Sequence, residues 1–471
     1  MIFNPQFLQK SEQHLILPAL VSASTHSCLH CAPLREFFHN FTFGTSCLEL
    51  SMTENYTFSV GTAKELPLDG YDYSINVEPT GIHILAKSEQ TLIHAFMTLL
   101  DRFKAVELEG RTATSIECCQ IRDRAEIQNR MIHFCVFPET ELWELRRFIR
   151  FSAALKYTHV ILEFWGMLKY DCLKELAWPN GYEKDEVRPI IKEARELGLE
   201  VVPMFNHWGH AAQCRSLHGK HVTLDQNPAL QTYFSEDGWC WNIENPKVKA
   251  LLREIRAELI ELCGDSSYFH IGCDEAVGFD FTKENMDAFA EFLDEISEEM
   301  AKVNRRAIAW GDMFAYNSPD YRYNQTKGRY YCHAPTAEAA RYLLDKIDKR
   351  IVIADWQYEV KETPIETALT FRDAGFDCMI CPWDLGTEPI KAGVKTVKRE
   401  SLSGIIHTTW HTLSTGTPYI LLTAVESFED CTQTIPTLRS HAASLLRKVM
   451  PAKGDYKKAG WSQIQVHSIC S

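Results

Sequence analysis

From about residue 119 onward, short apolar runs alternate with longer amphipathic ones, and this rhythm constrains the fold more than any single motif. Eight strand-like runs are centred on Met131–Phe134, Val160–Phe164, Val201–Phe205, Tyr268–Gly272, Ala307–Trp310, Ile351–Ala354, Cys378–Cys381 and Ile405–Thr409. Helical stretches separate them: Glu139–Leu155, Asp185–Leu197, Pro246–Cys263, Glu284–Val303, Thr336–Ile347, Thr363–Ala374 and roughly Ile390–Lys398. Strands joined through helices lie parallel, and eight such units close on themselves. The expected fold class is therefore α/β, a (β/α)8 TIM barrel. An open doubly wound sheet is the alternative, but no glycine-rich phosphate turn follows any of the runs.

A smaller α/β domain is expected before the barrel, over residues 1–118. Tyr71–Asn76 and Gly81–Ala86 alternate like paired strands. Ser88 then opens a helix with Leu92, Ala95, Phe96, Leu99 and Leu100 on one face. The polar stretch Glu107–Ser115 is read as the end of this unit. The barrel is expected over 119–440, and 441–471 as a C-terminal tail.

Strand C-terminal ends are where barrels collect function. The fourth run ends His270-Ile271-Gly272-Cys273-Asp274-Glu275. Two adjacent carboxylates after an apolar strand raise one another's proton affinity, which suits acid–base work near neutral pH. An Asp-Glu pair also arises where an aspartate caps the next segment and the glutamate is solvated. The tryptophans tip the balance: Trp165, Trp208, Trp310, Trp356, Trp383 and Trp410, six of 11 in the chain, follow strands two, three, five, six, seven and eight. Indole faces stack on the C–H faces of sugar rings.

The segment His270–Glu275 resembles the His-x-Gly-Gly-Asp-Glu signature of family 20 glycoside hydrolases, the β-N-acetylhexosaminidases, with Cys273 in place of the second glycine. Pro203–Ala211 (PMFNHWGHA) is similar to that family's strand-three segment through Gly209-His210. Tyr71–Phe103 resembles the end of its N-terminal domain. The resemblance implies an exo-acting, retaining β-N-acetylhexosaminidase that uses substrate-assisted catalysis. In that scheme the 2-acetamido oxygen of the substrate is the nucleophile and an oxazolinium ion is the intermediate. Asp274 would orient the acetamido N–H, and Glu275 would act as acid and then base. Arg130, Trp310, Trp356 and Trp410 match family positions that contact the sugar, and Glu163 and His210 fall near the expected rim. No cofactor and no metal are implied.

The chain also departs from the family pattern. After strand seven it reads Pro382-Trp383-Asp384 where the family has Tyr-x-Asp, so Trp383 and Asp384 are expected at the site and Tyr358 is the candidate to hold the acetamido oxygen. After strand eight, Trp410-His411-Thr412 lacks the family's glutamate, and strand two offers Glu163-Phe164-Trp165 where the family has His-x-x-Asp. GlcNAc against GalNAc preference stays open. Two other readings remain: a barrel that binds a glycan without cleaving it, and a retaining glycosidase in which Glu163 or Asp384 is a protein nucleophile.

Composition narrows the partners. With 49 Lys plus Arg against 63 Asp plus Glu, a net charge of −14 disfavours nucleic acid and anionic membrane. A glycan or amino-sugar oligosaccharide is the expected partner, and a homodimer is compatible with this reading. Met1–Lys10 lacks the pattern of a secretory signal, and no apolar run approaches the ~20 residues a membrane span needs. The 16 scattered cysteines then read as reduced thiols in the cytoplasm. Cys28-x-x-Cys31 with His26, His30 and His39, Cys378-x-x-Cys381, and the His207/His210 pair are candidate metal sites, and none fits a zinc spacing.

Overall fold

The computed structural model describes residues 2–51, 57–62, 68–211, 224, 227–316, 331–410 and 413–450. Eight parallel strands, β9 (Asn129–Cys135), β10 (His159–Glu163), β11 (Glu200–Met204), β12 (Tyr268–Gly272), β13 (Arg306–Trp310), β14 (Val352–Asp355), β15 (Cys378–Ile380) and β16 (Gly404–Thr408), form a closed barrel. Closure is made by β16 on β9, in register from Gly404↔Asn129 to Thr408↔His133. Each run is apolar on both faces because one face meets the outer helices and the other the barrel interior. Inside, one apolar cluster rises from Met131, Ile161, Val202, Ile308 and Ile406 to Trp310, Trp356 and Tyr358. Helix Pro246–Cys263 has the bounds its punctuation implies: Asn245 caps its first turn and Gly264, at φ 69°, ends it.

The small domain is a mixed sheet built from β1 (Phe7–Ile16), β2 (Leu20–Ala23), β3 (Cys47–Leu50), β4 (Phe58–Thr62), β5 (Tyr73–Glu78), β6 (Gly81–Ala86), β7 (Lys104–Leu108) and β8 (Arg111–Asp123), in the order β1-β8-β5-β6-β4-β2-β3 with β7 on β8. Its central members are β5 and β6, paired as expected and antiparallel, and β8. Ser88 caps helix Glu89–Leu100 through a capping box with Thr91. From that helix Gln90 Nε2 donates to the carbonyls of Thr158 (3.1 Å) and Gly198 (2.8 Å) beneath the barrel.

Two boundaries move. Glu107–Ser115 does not end the small domain: it holds the turn into β8, a 13-residue strand paired with β1, β5 and β7, so the domain runs to Asp123 rather than 118. Residues 107–112 are mostly exposed around the β7–β8 turn and read as a loop, whereas Thr114 and Ser115 are already buried in the sheet. At the other end, helix Ile435–Lys448 crosses the expected boundary at 440. The part of the expected tail from 451 onward lies outside the described residues.

Candidate active site

The barrel mouth is built on β11 to β16. Trp310 ends β13 and is fully buried, its ring 4.3 Å from His270 and 5.9 Å from Trp410. Trp356, just past β14, lies 5.2 Å from Tyr358, which meets Trp383 edge-on at 5.3 Å. The Tyr358 hydroxyl accepts the Trp410 indole N–H at 2.9 Å. Tyr331 closes the wall at 4.5 Å from Trp356. The expected residues Trp310, Trp356, Tyr358, Trp383 and Trp410 thus form one aromatic cup, and half-exposed Asp384 follows at its edge. His411 and Thr412 lie outside the described residues.

Above this cup stand the two carboxylates. His210 Nε2 lies 2.9 Å from Glu275 Oε2 and 3.4 Å from Asp274 Oδ2, so one imidazole bridges the pair. The Asp274 side chain is 6% exposed and that of Glu275 36%. The deeper carboxylate can meet only a group that enters the cup, whereas the outer one can exchange protons with a departing group or water. Trp239 holds the bridge from outside, its ring 4.4 Å from His210 and its indole N–H donating to the Glu275 carbonyl at 2.5 Å.

The backbone here is strained. Gly272, Cys273 and Glu275 all have left-handed φ (67°, 70° and 45°), as do His210 (56°), Trp165 (49°) and Trp410 (42°). Outliers of this kind cluster where surrounding structure holds a functional geometry. Gly272 and Gly209 are needed for close approach: a Cβ on Gly272 would sit 1.7 Å from Asn206 Oδ1, and one on Gly209 1.9 Å from the Asp274 carbonyl oxygen. These contacts lock the strand-three loop onto the carboxylate pair. Cys273 occupies a conformation that favours glycine and is tolerated as a small, fully buried side chain whose thiol points at the Ile271 carbonyl (3.5 Å).

Arg130 is not at the mouth. It is the second residue of β9, at the opposite end, where Nε and Nη2 donate to the Lys156 carbonyl (2.9 and 2.8 Å) and Nη1 to those of Ile127 (2.6 Å) and Gln128 (3.1 Å). Its guanidinium lies over Phe428, and burial pulls its pKa down to about 10. It braces the floor, at the opposite end of the barrel from the aromatic cup. Glu163 is inside the barrel rather than at the rim, fully buried and 2.8 Å from His133 Nε2. Trp208 also leaves the cup, wedged 4.0 Å from Phe289 and 4.7 Å from Phe279. Trp165 stands behind His210, 6.2 Å from its ring.

Sequence reasoning missed Asp312, Trp239, Tyr331 and His133. Asp312, two residues beyond β13, accepts from Glu275 N–H (2.8 Å) and Trp356 Nε1–H (3.0 Å). Burial, with the charge of Glu275 beside it, pushes its carboxyl up to about 7. The signal for it was an acid directly after a barrel strand, the same cue that marked Asp274.

Among the described residues, His210, Asp274 and Glu275 are the one group of three or more His, Cys, Asp or Glu whose ligand atoms lie within 4.8 Å of one another. The Cys28 and Cys31 thiols are pushed up to about 12 and about 11, burial being the main cause, so both stay protonated at neutral pH.

Residues 162–382, from β10 to just past β15, match the model of the glycosyl hydrolase family 20 catalytic domain. The chain is 19% identical over 279 residues to a lacto-N-biosidase of Bifidobacterium bifidum, covering 55% of this chain and 24% of that protein. It is 26% identical over 152 residues to β-hexosaminidase subunit A1 of Dictyostelium discoideum, 29% of this chain and 27% of that one. The chain therefore aligns with about a quarter of each of these relatives. The fold is also that of the β-N-acetylhexosaminidase from Bacteroides fragilis, with a TM-score of 0.66 at 17% identity over 97% of this chain and 95% of the other. The carboxylate pair, the bridging histidine and the cup residues Trp310, Tyr331, Trp356 and Tyr358 all fall within residues 162–382, the part of the barrel that matches the family 20 catalytic-domain model.

Proposed function

We propose that the protein is an exo-acting, retaining β-N-acetylhexosaminidase that cleaves terminal β-linked GlcNAc or GalNAc by substrate-assisted catalysis. The observation that carries this reading is the His210-bridged pair at the cup, with Asp274 deep and Glu275 at the rim. The activities named for the similar proteins support the same reaction. A cup closed below by Trp310 supports an exo mode, since a chain end fits where a continuous polymer does not.

In this mechanism the substrate's acetamido oxygen attacks the anomeric carbon and the glycosidic bond breaks. Asp274 accepts the acetamido N–H and offsets the growing positive charge. Glu275 gives its proton to the leaving oxygen, then takes one from the water that opens the oxazolinium ring. His210 Nε2 holds both carboxylates in register. Tyr358 is placed to meet the acetamido group, its hydroxyl oriented by Trp410. A protein nucleophile finds less support, because Glu163 is committed to His133 inside the barrel. A cytoplasmic setting is supported by the described cysteines, which are free thiols and include the adjacent buried Cys118 and Cys119.

An aryl β-N-acetylglucosaminide should be hydrolysed and the matching aryl β-glucoside, which lacks the internal nucleophile, should not. Equal rates on both would defeat substrate assistance. No turnover of either would leave a glycan-binding barrel as the better reading.

A further inference from the structure

Asp312 sits at a junction that the reaction scheme leaves unexplained. It is 1% exposed, in the short turn Asp312–Phe314 after β13. Oδ2 accepts the backbone N–H of Glu275 at 2.8 Å and Oδ1 the indole N–H of Trp356 at 3.0 Å. His333 steadies it, with Nε2 3.5 Å from Oδ2 and its backbone N–H donating to the Asp312 carbonyl at 2.9 Å. One carboxylate therefore holds a residue from the loop after β12 and another from the loop after β14.

Both partners are N–H donors, and a carboxylate, the form this group takes as pH rises through about 7, accepts through two oxygens and donates nothing. An asparagine of the same shape would turn an NH2 group toward one of them. The Glu275 N–H also needs holding, because its residue has φ 45°, which an L side chain adopts only when surrounding contacts over-determine it.

We propose that Asp312 is a positioning residue that clamps the acid, fixing the Glu275 backbone and the Trp356 indole through one carboxylate so that the proton donor and the cup wall keep a single relative geometry. The inference rests on the reading of Glu275 as the acid. Asp312 touches no reacting atom; it acts through Glu275 and Trp356. Rigid support of this kind keeps a proton donor within reach of the leaving oxygen.

Two measurements on Asp312→Asn test it. The first needs no activity: the Trp356 indole N–H resonance in the 15N-tryptophan spectrum, identified by its loss in Trp356→Phe, should move upfield in Asp312→Asn while the other indole resonances stay. An unmoved resonance overturns the clamp. The second is a series of β-N-acetylglucosaminides from a dinitrophenyl to an alkyl aglycone. A misplaced acid matters little when the leaving group needs no proton, so kcat/KM should fall by less than about threefold at the activated end and by about 100-fold at the alkyl end. An equal loss across the series, or none, overturns the positioning role. Asp312→Ser serves both measurements should the amide variant misfold. If the wild-type protein cleaves no member of the series, the functional reading fails, and the indole resonance still decides the clamp.

Discussion

The two ends of the barrel bury charge in opposite ways. At the floor Arg130 spends its guanidinium on three backbone carbonyls, and Lys156 Nζ lies 3.1 Å from Tyr73 OH and 3.6 Å from Asp123, between the rings of Phe3 and Phe428. Tyr73 and Asp123 come from the small domain, so this network is also the seam between the domains. At the mouth two carboxylates share one histidine, and the left-handed residues Trp165, His210, Cys273, Glu275 and Trp410 crowd round them. Left-handed residues also occur at the floor, Lys156 and Asn304 for example, but there they follow helices and serve as ordinary terminations. The same strands thus carry stability at one end and stored geometry at the other.

This contrast breaks most visibly if a mouth substitution behaves like a floor one. In the proposed mechanism, Asp274→Asn keeps the shape but removes the charge that steadies the acetamido group, and Glu275→Gln removes the transferable proton. Either should lower kcat on an aryl β-N-acetylglucosaminide by about 10²–10⁴-fold, with a urea midpoint close to that of the parent. A midpoint that collapses with the rate would mean the pair holds the fold.

The mirror experiment is Arg130→Ala. It orphans the carbonyls of Ile127, Gln128 and Lys156 in a dry site, which should destabilise the protein by about 3 kcal/mol, while kcat and KM of the folded fraction stay at parental values. A raised KM at parental stability would return Arg130 to the sugar site.

That residue also shows what could be read in advance. The rhythm of apolar runs gave each barrel strand to within about two residues, because a strand buried on both faces leaves no doubt about period or length. Asp274, Glu275 and the tryptophans of the cup followed from the rule that function collects past strand C-termini, whereas His210 and Tyr358 came with the family resemblance. Arg130 was misplaced by setting that rule aside: β9 starts at Asn129, so its second residue faces the floor. Asp312 was missed although the rule applies to it. Trp208 looked equivalent to the other tryptophans because a position beyond a strand does not say whether a ring turns inward or out against helix Lys283–Lys302, as this one does. β8 was lost because its exposed start, Arg111 and Thr112, follows a polar turn and looks like a continuation of the loop. Spacing reports where along the axis a residue sits; the direction of its side chain is set by loop contacts that span the whole barrel.

The smallest of these effects, and the one that tests how dry the floor is, concerns Lys156. Burial drives its pKa down to about 8, with Arg130 adding to the depression and Asp123, Asp101 and a hydrogen bond to Asp123 opposing it. Tyr73, the other titratable partner, is pushed upward and stays protonated through this range. In the unfolded chain a lysine titrates near ~10.4. Between these values the unfolded state holds a proton that the folded state has released, so stability gains from this group as pH rises from about 8 toward 10. Below pH 8 the burden of a buried ammonium is complete. Lys156→Met removes the titration, so the difference in unfolding free energy between parent and variant should shift in the parent's favour by about 2 kcal/mol from pH 7.5 to 9.5. Urea denaturation of both proteins at the two pH values reads it directly. A difference that stays flat would mean water reaches the ammonium, and the floor would then be a solvated rim like the one that carries Glu275.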